Sequence, residues 1–130
     1  MPDGTLPAVA EKGHFNDTSY EAVSGRSKAL GFDQITFYKG YFENTLHNLK
    51  SEKFSLVHLD CDLYQSYKEC LNFFYDKVLP GGYIVFDEYS FSHDVYPGAQ
   101  KAIDEFFADK PEKIQSFPEY PHTRYFIVKQ

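Results

Sequence analysis

The 130-residue chain has no tryptophan, one methionine and two cysteines, and it contains no long apolar run. Its apolar stretches are far shorter than the roughly 20 residues that span a bilayer. The first residues, 1–10, include prolines and an acid but no basic start, so they do not look like a signal peptide. From these absences we predict a cytoplasmic protein without a membrane span.

Charge and cysteine spacing exclude further classes. The 13 Lys and Arg residues are scattered among 19 Asp and Glu residues, and the net charge is −6. A chain of this charge repels a phosphate backbone, so nucleic acid is not a predicted partner. Cys61 and Cys70 fit no zinc or redox-motif spacing, and we expect two free, buried thiols.

The chain is instead rich in aromatic residues, with 13 Phe and 11 Tyr, and its length suits one domain over 1–130. A capping-box pattern from Thr18 to Glu21 predicts a helix over about 18–30. Residues 35–39 are β-branched and aromatic, which predicts a short strand. A brief helix is predicted over about 43–50.

Two mostly apolar segments, 54–59 and 83–86, are typical of strands buried in a parallel sheet. A helix is predicted between them because apolar residues recur there at spacings of three and four: Leu63, Tyr67, Leu71, Phe74 and Val78. A helix over about 98–108 and a hairpin of 114–117 with 124–128 follow. The alternation predicts an α/β fold with three layers: a mostly parallel sheet of about five strands, flanking helices and a C-terminal antiparallel hairpin.

Acidic residues follow both apolar strands. Asp60 and Asp62 come after the first, and Asp87 and Glu88 come after the second. Ligands of open parallel sheets bind at the carboxyl ends of the strands, where these side chains would meet. A divalent cation such as Mg²⁺ would relieve the repulsion between them. The alternative is that the acids only accept hydrogen bonds from backbone N–H groups of the loops.

Histidines offer one further candidate. His58 lies two residues before Asp60 on the same side of its strand, so it is either a base or supporting partner, or a satisfied core residue. The others receive no role: His14, His47, His93 and His122. The sequence shows no nucleophile elbow and no phosphate-binding loop.

Three segments, FYKGYFENTL, LVHLDCDLYQSYKECLNFFYDKVLPGGYIVFDEYS and GAQKAIDEFF, together with HFNDTS before the first helix, resemble the macrocin (TylF-type) O-methyltransferases. The resemblance implies a class I, S-adenosylmethionine-dependent methyltransferase of truncated Rossmann-like fold. It makes Asp60, Asp87 and Glu88 ligands of Mg²⁺ or a similar cation. It also places Asp60 near the substrate hydroxyl, as orienter or base. Gly40, Tyr41 and Phe42 become candidates to bind the cofactor. Tyr41 and Phe42 would pack against its adenine, although they fit equally well as ordinary core aromatics.

Two departures from the family pattern stand out. Glu88 occupies a position where the family usually has Asp, and the family's first two strands with their Gly-rich cofactor turn are missing. The resemblance therefore implies a partial methyltransferase domain in which strand 54–59 has an exposed edge. We expect re-pairing of the sheet, a homodimer, or an N-terminal segment that covers this edge.

The predicted function is O-methylation of a hydroxyl on a small molecule, a sugar or natural product, with this chain supplying an incomplete site. Two alternatives stay open. The chain could be a non-catalytic remnant or partner-binding module that keeps the acidic strand ends. It could also be a glycosyltransferase-like protein, because Asp60-Cys61-Asp62 is formally an Asp-x-Asp motif.

Overall fold

The computed structural model describes residues 17–90, 96–118 and 123–130. Helices and strands alternate along much of this chain: α1 (Tyr20–Ala29), α2 (Phe42–Thr45), β1 (Phe54–Leu59), α3 (Tyr64–Phe74), β2 (Val78–Phe86), α4 (Pro97–Phe107), β3 (Gln115–Pro118) and β4 (Thr123–Val128). Short 3₁₀ turns extend α2 over 46–49 and α3 over 75–77. None of the described helices is both long and apolar enough to cross a membrane.

The strands form one sheet in the order β1-β2-β4-β3. β1 and β2 are parallel, with Val57 opposite Ile84 and Leu59 opposite Phe86, and α3 makes the crossover between them. β4 runs antiparallel to both β2 and β3. The predicted α/β class and C-terminal hairpin are confirmed. Within the described residues the sheet has four strands rather than about five, and a single parallel pair replaces the mostly parallel sheet.

The fifth strand of the prediction was the segment 35–39, and the prediction of a strand there was wrong. These residues are assigned to no strand, and Phe37 packs edge-on against Tyr20 of α1, with ring centroids 6.2 Å apart. Lys39 forms an ion pair with Glu21 at 3.3 Å. β propensity alone does not make a strand without a neighbour to pair with, and here the segment contacts α1 instead.

The core lies on one face of the sheet, where α3 packs against α4. Side chains of that face alternate with outward-facing ones, as in any half-buried strand. The fully buried members with the largest volumes are Tyr67, Phe86, Leu71, Ile84, Ile103 and Ile127. On the opposite face Leu56 and Tyr83 are 58% and 45% exposed. The described residues therefore form two layers, not the predicted three, since their helices do not cover this second face.

β2 is longer than predicted because Pro80, Gly81 and Gly82 belong to it. A Cβ on Gly82 would lie 2.8 Å from the Ser55 carbonyl oxygen, so glycine permits the close approach of β2 to β1. Gly81 adopts a positive φ of 82° and donates its N–H to the Lys129 carbonyl at 2.8 Å. The Pro-Gly-Gly segment thus serves sheet pairing as well as the end of the α3 region.

Candidate active site

Three carboxylates converge at the carboxyl ends of the two parallel strands. Asp60 and Asp62 follow β1, Glu88 follows β2, and one oxygen from each lies within 4.8 Å of the others. Asp62 adopts a left-handed backbone conformation with φ 58°, which turns the chain sharply between β1 and α3. We call Asp60, Asp62 and Glu88 the acidic cluster. The predicted gathering of acids at this edge is present, and it includes Asp62.

Glu88 joins the two strand ends through hydrogen bonds. Its Oε2 accepts the backbone N–H of Cys61 at 3.1 Å and that of Asp62 at 3.2 Å. The hydroxyl of Tyr67, a fully buried residue of α3, lies 2.7 Å from the same oxygen and 2.9 Å from the Leu59 carbonyl oxygen. Burial raises the pKa of Tyr67, which keeps its hydroxyl protonated as a donor. Strand, turn and helix are therefore fixed around one carboxylate.

Crowding and burial disfavour charge in the acidic cluster. Burial, together with a hydrogen bond to Asp60, raises the pKa of Glu88 to about 7, against the opposing hydrogen bonds from Tyr67 and the backbone. Burial and the charges of Asp60 and Asp87 raise the pKa of Asp62. Carboxyl groups that share a site hold a proton more tightly unless a cation takes its place.

Asp87 belongs to a second polar group on the open face of the sheet. Its Oδ1 lies 3.1 Å from the Arg124 guanidinium of β4 and 3.4 Å from the Nε2 atom of His58 of β1. The structure thus brings the predicted residues Asp60 and Glu88 together and places the Asp87 carboxylate against His58 and Arg124. His58 has a half-exposed side chain and is not a core residue. The sequence analysis related His58 only to Asp60, two residues along the same strand, whereas the structure places His58 next to Asp87.

The family resemblance named neither Asp62 nor Arg124 as a site residue, although the acids expected to meet at the strand ends included Asp62. Asp62 could have been chosen from the Asp-x-Asp spacing, which puts both acids in the turn after β1. Arg124 has no such signal, because it is far from Asp87 in sequence and reaches it only through the pairing of β4 with β2. Three of the other histidines lie outside the described residues: His14, His93 and His122.

A pocket of about 340 Å³ borders the acidic cluster. Its wall is mostly apolar and combines the segment before and within α2, the end of β1 and one side of α3: Tyr38, Phe42, Leu46, Leu49, Val57, His58, Asp60, Cys61, Cys70 and Phe74 among others. A larger cavity of about 650 Å³ lies between α1 and residues 32–37, and no member of the acidic cluster lines it.

The three residues predicted to bind cofactor differ in their placement. Phe42 lines the pocket beside Asp60 and also packs against the core, which agrees with its interpretation as a core aromatic, while its cofactor role stays a prediction. Tyr41 is 78% exposed and packs in no core. Gly40 has φ 141°, and a Cβ there would lie 2.9 Å from the Thr45 Cγ2 atom, so this turn requires glycine.

Comparison with known proteins identifies the family. The family model described as Macrocin-O-methyltransferase (TylF) matches residues 11–116. The chain is 30% identical over 118 residues to Demethyldecarbamoylnovobiocin O-methyltransferase of Streptomyces niveus, a match that covers 79% of this chain and 44% of the relative. It is 27% identical over 74 residues to Mycinamicin III 3''-O-methyltransferase of Micromonospora griseorubida, covering 57% of this chain and 27% of the relative.

Solved structures agree on the fold. The O-methyltransferase NovP superposes with a TM-score of 0.73 at 24% identity, over 96% of this chain and 56% of NovP. The calicheamicin methyltransferase CalS11 gives a TM-score of 0.70 at 18% identity, over 98% of this chain and 54% of CalS11. The chain therefore spans about half the length of the proteins that it matches, and it has a truncated, Rossmann-like methyltransferase fold. Together with the family match, this shows that the chain belongs to the macrocin O-methyltransferase family.

Proposed function

We propose that the acidic cluster is the cation-binding part of an O-methyltransferase site that uses S-adenosylmethionine and acts on a hydroxyl of a small molecule, a sugar or natural product. The observation that carries the proposal is the convergence of three carboxylates within 4.8 Å at the ends of adjacent parallel strands. Relatives in the family are named as O-methyltransferases of novobiocin-type and mycinamicin-type compounds, which supports this substrate class.

The donor set suits a hard divalent cation. All three groups offer oxygen, which Mg²⁺ prefers, and Mg²⁺ commonly takes few carboxylates and completes its shell with water and substrate oxygen. Glu88 has one oxygen occupied by three donors, and its second oxygen remains for a cation. We propose Asp60 and Glu88 as ligands and add Asp62. Asp87, the third predicted ligand, contacts Arg124 and His58 through its Oδ1 atom, so it would reach a cation through its other carboxylate oxygen.

When bound, a cation held by the acidic cluster would make a substrate hydroxyl more acidic, and S-adenosylmethionine would supply the methyl group as a sulfonium. Asp60 orients the hydroxyl or accepts its proton at a carboxylate oxygen. Tyr38 and Phe42 line the pocket beside Asp60. Phe42 would pack against the adenine there, and this apolar wall would keep water from the reacting groups. Cofactor binding, in our proposal, also needs a homodimer or an N-terminal segment, because no Gly-rich cofactor turn precedes α1 in the sequence.

A second candidate is a non-catalytic binding module. The observation that favours it is the saturation of the Glu88 Oε2 atom by two backbone N–H groups and the Tyr67 hydroxyl, an arrangement expected of a purely structural acid. On this view the acidic strand ends hold β1, β2 and α3 together without a cation.

Calorimetric titration with Mg²⁺ separates the two candidates. We expect wild-type binding that Asp60→Asn weakens by about tenfold or more, since it removes a charged ligand. Asp33→Asn is the matched control, because Asp33 is an exposed aspartate outside the acidic cluster, and it should bind Mg²⁺ as wild type does. Absence of Mg²⁺ binding in the wild type, or equal affinity in Asp60→Asn, would overturn the cation site.

A parallel titration with S-adenosylhomocysteine tests the cofactor. Binding that tightens with protein concentration supports a site shared between two copies. Mg²⁺ binding without any cofactor binding at all concentrations contradicts the homodimer and leaves the N-terminal segment as the required part.

A further inference from the structure

The two cysteines of the chain lie side by side next to the acidic cluster. Cys61 sits between Asp60 and Asp62 in the turn after β1, and Cys70 lies in the second turn of α3. Their Sγ atoms are 3.8 Å apart, and both are free thiols. We propose that Cys61 and Cys70 are a modification site that closes into a reversible intramolecular disulfide when it meets a small disulfide oxidant such as oxidised glutathione.

The geometry needs little change to form the bond. A disulfide has an S–S length of about 2.05 Å, so the two sulfurs must approach by about 2 Å, which side-chain rotation and a small shift of the turn can supply. Cys61 belongs to an irregular turn in which the Asp62 backbone already has a positive φ, whereas Cys70 is held in a helix. The movement is therefore expected in the turn. The chain has no third cysteine to compete for either thiol.

Access to the pair is one-sided. Both cysteines line the 340 Å³ pocket, but Cys61 is partly exposed whereas Cys70 is 1% exposed. An incoming disulfide therefore meets Cys61 first.

The Cys61 thiolate attacks one sulfur of oxidised glutathione, which forms a Cys61–glutathione disulfide and releases one glutathione thiolate. Cys70 then attacks the Cys61 sulfur, closes the protein disulfide and releases the second glutathione. The two thiol protons pass to the two glutathione molecules, so the oxidant is reduced by two electrons.

The first experiment uses the unmodified full chain. It is incubated with oxidised glutathione, quenched in acid, unfolded, alkylated with iodoacetamide and weighed by mass spectrometry. We expect loss of both alkylatable thiols, a monomeric product lighter by two hydrogen atoms, and full recovery of both thiols with dithiothreitol. Two thiols that remain alkylatable, or products that are only glutathione adducts or disulfide-linked dimers, would overturn the proposal. This readout needs no substitution.

Two matched variants test the order of attack. Cys70→Ser should accumulate the Cys61–glutathione adduct, because its second step is blocked. Cys61→Ser should form an adduct at Cys70 at least about tenfold more slowly than Cys70→Ser forms one at Cys61, because Cys70 is buried. Circular dichroism verifies that both variants are folded. Equal rates in two folded variants would contradict the role of Cys61 as the entry thiol.

Discussion

Residues 17–41 and the described residues of 42–130 contain similar kinds of apolar side chains but bury them to different extents. In the first region, α1 and the segment after it leave many large side chains exposed: Tyr20, Val23, Leu30, Phe32, Ile35, Tyr38 and Tyr41. In the second, α3, α4 and the sheet bury Tyr67, Ile84 and Phe86 completely. The difference shows that sequence patterns within a segment are enough to form a helix such as α1, whereas a buried core requires two layers that pack against each other.

The hydrogen bonds of the two regions differ in the same way. α1 is held mainly by its own backbone and by Ser19, whose hydroxyl accepts the Ala22 N–H at 3.1 Å. The second region has bonds between distant elements, such as Tyr67 to Glu88. We therefore expect the stability of the chain to reside in the second region, and substitutions can break or sharpen this comparison.

The largest expected effect is that of a core truncation. Ile84→Ala should lower the free energy of unfolding by about 2–5 kcal/mol, because it leaves a cavity where β2 meets α3 and α4. Phe32→Ala, in the exposed region, should cost less than about 1 kcal/mol although it removes more atoms. Urea denaturation measures both. Equal costs would show that the two regions share one core.

The next effect is a pH dependence centred on Glu88. Its folded pKa of about 7 lies above the usual 4.5, so the folded chain binds the proton more tightly than the unfolded chain. The contribution of Glu88 to the free energy of unfolding is therefore fully present below pH 4.5 and is lost as the pH rises through 7, by on the order of 1–3 kcal/mol. Glu88→Gln should remove this decline in urea titrations at several pH values with EDTA present. Glu21→Gln, in the exposed region, should leave the decline unchanged, and loss of the decline there would contradict the assignment.

A smaller cost is expected from the hydroxyl beneath Glu88. Tyr67→Phe keeps the ring in the core but removes the donor to the buried carboxylate, which should cost about 1–2 kcal/mol. Tyr41→Phe removes a hydroxyl from an exposed ring and should leave the urea midpoint unchanged. A Tyr67→Phe midpoint equal to wild type would mean that Glu88 finds another donor.

The smallest effect on overall stability is expected from the cap of α1. Ser19→Ala removes the acceptor of the Ala22 N–H and should destabilise the helix by about 0.5–1 kcal/mol. Because α1 contributes little to the core, we expect faster amide exchange in 20–29 while exchange in 54–59 is unchanged. Ser24→Ala, elsewhere in the same helix, is the control. Faster exchange in β1 would show that α1 supports the sheet.

These contrasts also explain what the sequence could predict. Residues 54–59 were predicted as a strand with the bounds found, because a mostly apolar segment of six residues between polar ends has the length and composition of a strand. The meeting of Asp60 with Glu88 followed from the geometry of a parallel strand pair. The strand predicted over 35–39 was wrong because a strand must pair with a neighbouring strand, and the residues of the segment do not show whether such a neighbour exists. The Asp87–Arg124 pair depends on the register of β4, which no local pattern reveals.

The position of Glu88 has a consequence for the order of folding. Its carboxylate contacts the turn after β1, 26 and 27 residues away in sequence, and Tyr67 of α3. These contacts can form only after β1 and β2 have paired and α3 has docked, since they close long loops whose entropy cost precedes their gain. The acidic cluster is therefore expected to assemble late. A cation that binds there would select the fully folded chain over any intermediate and would slow unfolding rather than speed folding.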